Sequence, residues 1–176
     1  MKRNFSTLLH LFALLLVVPL LTSSCKDKDP DIIFDFYPLN IEIEVADKEG
    51  RDLLDANTPG NLLSQDVTAT FLGKTFRMGE RIDRPTPDVF RAYMPTFHGL
   101  LVGTNKNGRK ALFFGELAGN STFKSEELVL NWGNGWQKDV ITISQKVHSK
   151  GNDIKVIRSF YLNGKRISRP IKIVKG

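Results

Sequence analysis

IEIEV, Ile41 to Val45, alternates an apolar residue with a carboxylate at every step. Side chains on a strand point to opposite faces with a period of two, whereas a helix repeats every 3.6 residues. The pentapeptide therefore reads as a strand with its isoleucines turned inward and Glu42 and Glu44 in water. The same period recurs in Val67 to Phe71 and in Val140 to Ser144, which continues to about Val147. Long helical periodicity is missing.

Working outward, turn chemistry separates further short runs. Asp47 to Gly50 reads as a turn, Arg51 to Pro59 is too short and too polar for a helix, and Asn57-Thr58-Pro59-Gly60 is loop chemistry. Gly73 after Val67–Leu72 suggests a type II′ hairpin into Phe76, because glycine tolerates positive φ. Arg81 to Asp88 contains Pro85 and Pro87 and reads as a loop or edge segment. Phe90 to Thr104, broken near Pro95, and Lys110 to Leu117 flank Asn107-Gly108, a strong hairpin signal. Glu126 to Asn131 reads as a short strand. Asp153 to Leu162 puts Ile154, Val156, Phe160 and Leu162 on one face, interrupted by Arg158. The sequences around Leu72-Gly73 and Asn163-Gly164 are alike and read as one turn solution used twice. Ile167 to Val174 reads as a last strand, at a sheet edge or bulged at Pro170, which has no N–H to donate. The expectation is an all-β fold: an antiparallel β-sandwich of about 7–8 strands, Ig-like, with a barrel as second choice.

The chain before this region has a different character. Lys2 and Arg3 precede an apolar run from Leu8 to Leu21, shorter than the roughly 20 residues that span a bilayer. A basic start followed by such a run reads as a secretory signal. Thr22-Ser23-Ser24 then leads to Cys25, the only cysteine of the chain. This stretch resembles the lipobox of bacterial lipoproteins, with Thr22 where the family usually carries leucine. The resemblance implies cleavage before Cys25 and acylation of its thiol, so Cys25 is the expected lipid anchor. Ordinary secretion would leave a lone thiol with no internal partner.

Lys26-Asp27-Lys28-Asp29-Pro30-Asp31 is too polar to join a core and reads as a tether. It is similar to the acidic export tags that follow the lipid cysteine in surface lipoproteins of Bacteroidetes, from which Lys26 and Lys28 depart, although a plain solvated linker would look the same. By that resemblance the chain looks like a small Bacteroidetes-type surface lipoprotein, anchored in the outer membrane and facing the exterior, with the periplasmic face as the alternative. The expected organisation is a signal over 1–24, the lipidated Cys25 and tether over 25–36, and one β-sandwich domain over 37–176.

The formal net charge is +6, unevenly spread. Residues 26–66 carry four basic and eleven acidic side chains, and residues 146–176 carry nine basic and one acidic. The arrangement reads as first and last strands lying side by side with complementary outward charges. A basic tail for nucleic acid does not suit an extracellular anchor, so no nucleic-acid partner is expected.

Little in the folded part suggests catalysis. His98 and His148 have no second ligand at metal spacing. Glu42 with Glu44, and Glu126 with Glu127, are pairs that any exposed strand produces. No G-x-S-x-G elbow or phosphate-binding loop occurs, and Gly73-Lys74-Thr75 is a turn. The most distinctive loop is Trp132-Gly133-Asn134-Gly135-Trp136. It resembles the Gly-Asp-Gly turn of PKD-type extracellular sandwiches. Two indoles beside such a turn would suit stacking on a sugar ring; a tryptophan there also suits capping the core, with its partner covering the end.

The leading expectation is therefore a non-enzymatic binding or envelope-accessory lipoprotein with no cofactor beyond the lipid at Cys25. Its partners would be the membrane and a glycan or an envelope protein. The alternative is a glycan-binding module built on Trp132 and Trp136, with Tyr93 or Phe97 nearby, and behind that a hydrolase joining residues distant in sequence.

Overall fold

The alternating runs form strands in the structure, a computed structural model that describes residues 36–80, 82, 97–150 and 153–176. The expected signal, Cys25, nearly all of the tether, Tyr93 and the expected strand residues before Pro95 lie outside the described residues. Ten strands form: β1 (Leu39–Asp47), β2 (Thr68–Phe71), β3 (Lys74–Arg77), β4 (Leu100–Thr104), β5 (Lys110–Leu117), β6 (Phe123–Asn131), β7 (Asp139–Lys150), β8 (Asp153–Leu162), β9 (Lys165–Ile167) and β10 (Ile171–Lys175). No helix occurs among the described residues.

The strands build two sheets, ordered β10-β1-β5-β4 and β3-β2-β6-β7-β8-β9. Among the described residues the two sheets are bridged only at Met78–Leu100, so the fold is a β-sandwich and not a closed barrel. Inward positions of both sheets make one core. Ile41, Ile43, Leu112 and Phe114 come from the four-stranded sheet, and Leu128, Leu130, Ile141 and Ile143 from the six-stranded one. All eight are fully buried, and each large aliphatic side chain so placed contributes about 1.5–3 kcal/mol.

Several details differ from the sequence reading, beginning with ten strands where about 7–8 were expected. The expected last strand is two: β9 closes the six-stranded sheet, the chain crosses at Ser168-Arg169-Pro170, and β10 joins the other sheet. Pro170 carries no N–H for a ladder, so the strand breaks there instead of bulging. Because β10 arrives by a crossover and not a hairpin, it runs parallel to β1, in an otherwise antiparallel sandwich. First and last strands do lie side by side, and Lys172 reaches Glu44 at 3.8 Å.

Glu44, expected in water, is buried, because Lys172 and the Asn105 amide, which donates to its Oε1 at 2.8 Å, cover it. The Leu72-Gly73 turn has positive φ at both residues, 48° and 74°, which makes it type I′ and not type II′. Asn163-Gly164 repeats those angles at 49° and 79°, so one turn is indeed used twice. Between β4 and β5, Asn107-Gly108 sits inside a longer loop in which Asn105 N–H donates to the Arg109 carbonyl.

The long connection between β1 and β2 is irregular, as its polarity implied, yet Leu53, Leu54 and Leu62 are buried in it. They close one end of the sandwich. That end also holds the β4–β5 loop and the Trp132–Trp136 loop. At the opposite end lie the start of β1, the end of β5, the start of β6 and the β2–β3 turn.

Candidate functional site

Trp132 follows β6 and turns into the core. It is fully buried, and its indole N–H donates to Asp139 Oδ2 at 2.8 Å. The Lys175 ammonium lies 5.1 Å from its ring centroid and pairs with the same carboxylate. Asp139 Oδ1 accepts from the Asn163 amide at 2.8 Å, and Asn163 Oδ1 in turn accepts from Val140 N–H. Trp136 is half-buried and packs on the core cluster. With no exposed face, Trp132 cannot contact a ligand, and the expected two-indole platform is withdrawn. The core-capping role is the one the indoles perform, because a buried N–H needs a fixed acceptor and Asp139 supplies it.

His98 and His148 are both exposed; His98 lies in the segment before β4 of the four-stranded sheet and His148 on β7 of the six-stranded one. Glu126 and Glu127 follow one another on β6 and so point to opposite faces of the sheet, the first half-buried and the second exposed. No group of three or more His, Cys, Asp or Glu able to hold a metal ion occurs among the described residues.

A different place stands out: an apolar cleft of about 670 Å³ at the end of the sandwich where β1 begins. Four phenylalanines, Phe71, Phe76, Phe97 and Phe123, form its walls. Leu117 at the end of β5 and Ala118 and Ser121 in the loop after it floor the cleft, while Lys74, Ile82 and Glu116 stand around it. The rings are held by edge-to-face packing about Phe114, which lies 5.5 Å from Phe71, 5.6 Å from Phe76 and 5.1 Å from Phe97. Such pairs contribute about 0.5–1.5 kcal/mol each beyond burial, so the walls are preformed. Phe97, expected as a possible sugar platform, is instead one of these walls.

The floor is fixed by Gln145, fully buried on β7. Its amide nitrogen donates to the carbonyls of Ala118, Gly119 and Ser121 at 3.2, 3.0 and 2.6 Å. Its oxygen accepts from Arg158 Nε at 2.6 Å, and Arg158 Nη2 donates to the Tyr37 carbonyl at 2.8 Å. Burial, and then the nearby charge of Arg169, hold the Arg158 pKa below its ordinary value. A side chain at Gly119 would meet the Tyr37 carbonyl at 2.3 Å, so the loop needs glycine to lie against the incoming chain.

The sequence carried a signal for this clamp that the reading passed over. Arg158 broke the apolar face of β8, and Gln145 holds the same inward parity on β7 as Ile141 and Ile143. An inward Arg opposite an inward Gln implies a buried polar network. The cleft itself had no such signal, because its walls come from four separate segments.

Compared with known proteins, the chain matches no family model, no curated sequence and no solved structure. Chemically, the arrangement suits capture of an apolar or aromatic body, with Lys74, Glu116 and Ser121 as the few polar side chains of the lining.

Proposed function

We propose that this chain is a lipid-anchored outer-membrane lipoprotein facing the exterior, whose β-sandwich is a non-enzymatic binding domain that takes its ligand in the phenylalanine cleft. The cleft is the observation that carries the reading. Its volume of about 670 Å³ falls in the range of small-molecule sites, roughly 300–1,000 Å³, and its aromatic walls with few polar groups match their usual lining. The anchor rests on Cys25 and the segment around it. One acyl chain gives marginal attachment and two give a stable one.

Two experiments test the two halves separately. Titration of the protein with 1-anilinonaphthalene-8-sulfonate, an apolar ring system with one anionic group, should show a single saturable site. Ser121→Trp should fill the cleft and weaken that site at least tenfold while thermal unfolding stays cooperative. Undiminished binding by this variant would refute the cleft. Metabolic labelling with a palmitate analogue should mark the wild-type chain and not Cys25→Ala, and protease shaving of intact cells should degrade it. Resistance to shaving would move the domain to the periplasmic face.

A further inference from the structure

Strands β7 and β8 outrun the sheet they belong to. Pairing of β6 with β7 stops at Phe123–Gln145, and pairing of β8 with β9 stops at Phe160–Ile167. Beyond those positions β7 and β8 pair only with each other, through Lys146–Ile157 and His148–Lys155 to Lys150–Asp153. Among the described residues no other strand flanks this two-stranded arm.

The faces of the arm differ. Val147, Ile154 and Val156 are half-buried on the side that continues the core face. Lys146, His148, Lys155 and Ile157 are exposed on the other, and Lys124 at the start of β6 extends the same outer face beside Ser144. From 146 to 157 the arm carries three lysines and a single acidic residue, Asp153. Lys124, Lys146 and Lys155 make no ion pair with any described residue.

Position gives this basic strip its meaning. The arm springs from Gln145 and Arg158, a hydrogen-bonded pair of which Arg158 donates to the Tyr37 carbonyl where the chain enters β1. Twelve residue steps separate Tyr37 from Cys25, a reach of at most about 40 Å. A lipid on Cys25 would therefore tether the domain by the end from which the arm springs.

We infer that the outer face of the arm docks on the anionic headgroups of the membrane that holds the anchor. The inference rests on the lipid-anchor reading and adds a second, electrostatic attachment to it. Basic residues at an anionic surface each strengthen attachment about fivefold, and the effect fades within a Debye length of roughly 10 Å. An acyl chain together with a basic patch is a stable combination where either alone is weak.

The test uses the expected mature chain, residues 25–176, carrying Cys25→Ala, so that neither an acyl chain nor the apolar Leu8–Leu21 run contributes, and co-sedimentation with vesicles of 30:70 phosphatidylglycerol and phosphatidylcholine. Binding is expected at low salt, absent at 0.5 M NaCl and absent on pure phosphatidylcholine. Lys146→Glu with Lys155→Glu should weaken it about 25-fold or more. Lys106→Glu with Lys138→Glu changes net charge equally at the far end of the sandwich and should weaken it far less. All four positions are exposed, and unchanged circular dichroism and melting temperature check the fold. Equal losses from the two pairs, or equal binding to neutral vesicles, would overturn the inference. The palmitate-labelling result is independent. An unlabelled Cys25 with an arm-specific vesicle response sinks the anchor alone, and a labelled Cys25 with no arm-specific response sinks the arm alone.

Discussion

Replacing Lys175 by methionine is expected to be the most damaging conservative change on β10. The ammonium and the Asp139 carboxylate are in contact, with side chains only 9 % and 8 % exposed. Lys175 also lies over the Trp132 ring and donates to the Gln137 carbonyl at 2.9 Å. Methionine keeps most of the stem's packing but strands the carboxylate in the core. Losing one partner of a buried pair costs about 3–5 kcal/mol. Here the Trp132 and Asn163 donors still reach Asp139, so the lower figure applies, about 3 kcal/mol or roughly 10 °C in melting temperature. Urea unfolding followed by tryptophan fluorescence measures the loss. Lys172→Met is the internal control, because that lysine is 72 % exposed and only 3.8 Å from Glu44, and it should lose no more than about 1 kcal/mol. Adding Asp139→Asn to Lys175→Met should return about 1–3 kcal/mol relative to the sum of the single losses. If Lys175→Met matches Lys172→Met, the pair is not a desolvated one, and the account of why Trp132 is held away from solvent fails with it.

Three further outcomes follow from the same structure. Gln145→Leu leaves three loop carbonyls and Arg158 without their shared partner; unfolding should show a loss of about 2–3 kcal/mol, and hydrogen exchange should rise in residues 118–121. Gly133→Ala should cost more than Gly135→Ala, because both have positive φ but only at Gly133 would the new Cβ meet the Asp66 backbone, at 2.7 Å; paired thermal melts measure the difference. Burial pushes the Asp47 carboxyl up, but the Arg51 hydrogen bonds and charge outweigh it and hold the group below its ordinary value. A lowered folded pKa means this contact stabilises above the ordinary carboxylate pKa near 3.9 and fades as pH falls through the lower folded value. Asp47→Asn should therefore flatten the acid limb of the stability profile below about pH 4, as followed by circular dichroism.

Local chemistry decided the strands. Alternation in Ile41–Val45 and Val140–Ser144, and the glycines after Leu72 and Asn163, act within a few residues, so their pattern and the structure agree. The same reasoning went wrong where a neighbour distant in sequence covers a side chain. Glu44 has the pattern of a solvated carboxylate until Lys172 and Asn105 close over it, and Trp132 looks available to a ligand until Asp139 takes its N–H.

By itself, then, the order of residues determined an all-β chain with hairpin turns at known positions, because periodicity and turn chemistry are short-range properties. Only tertiary structure decided which sheet each strand joins, that the first and last strands run parallel, and that Phe71, Phe76, Phe97 and Phe123 surround one cleft. Those outcomes depend on which apolar faces bury one another across the sandwich, a choice made by packing over the whole domain.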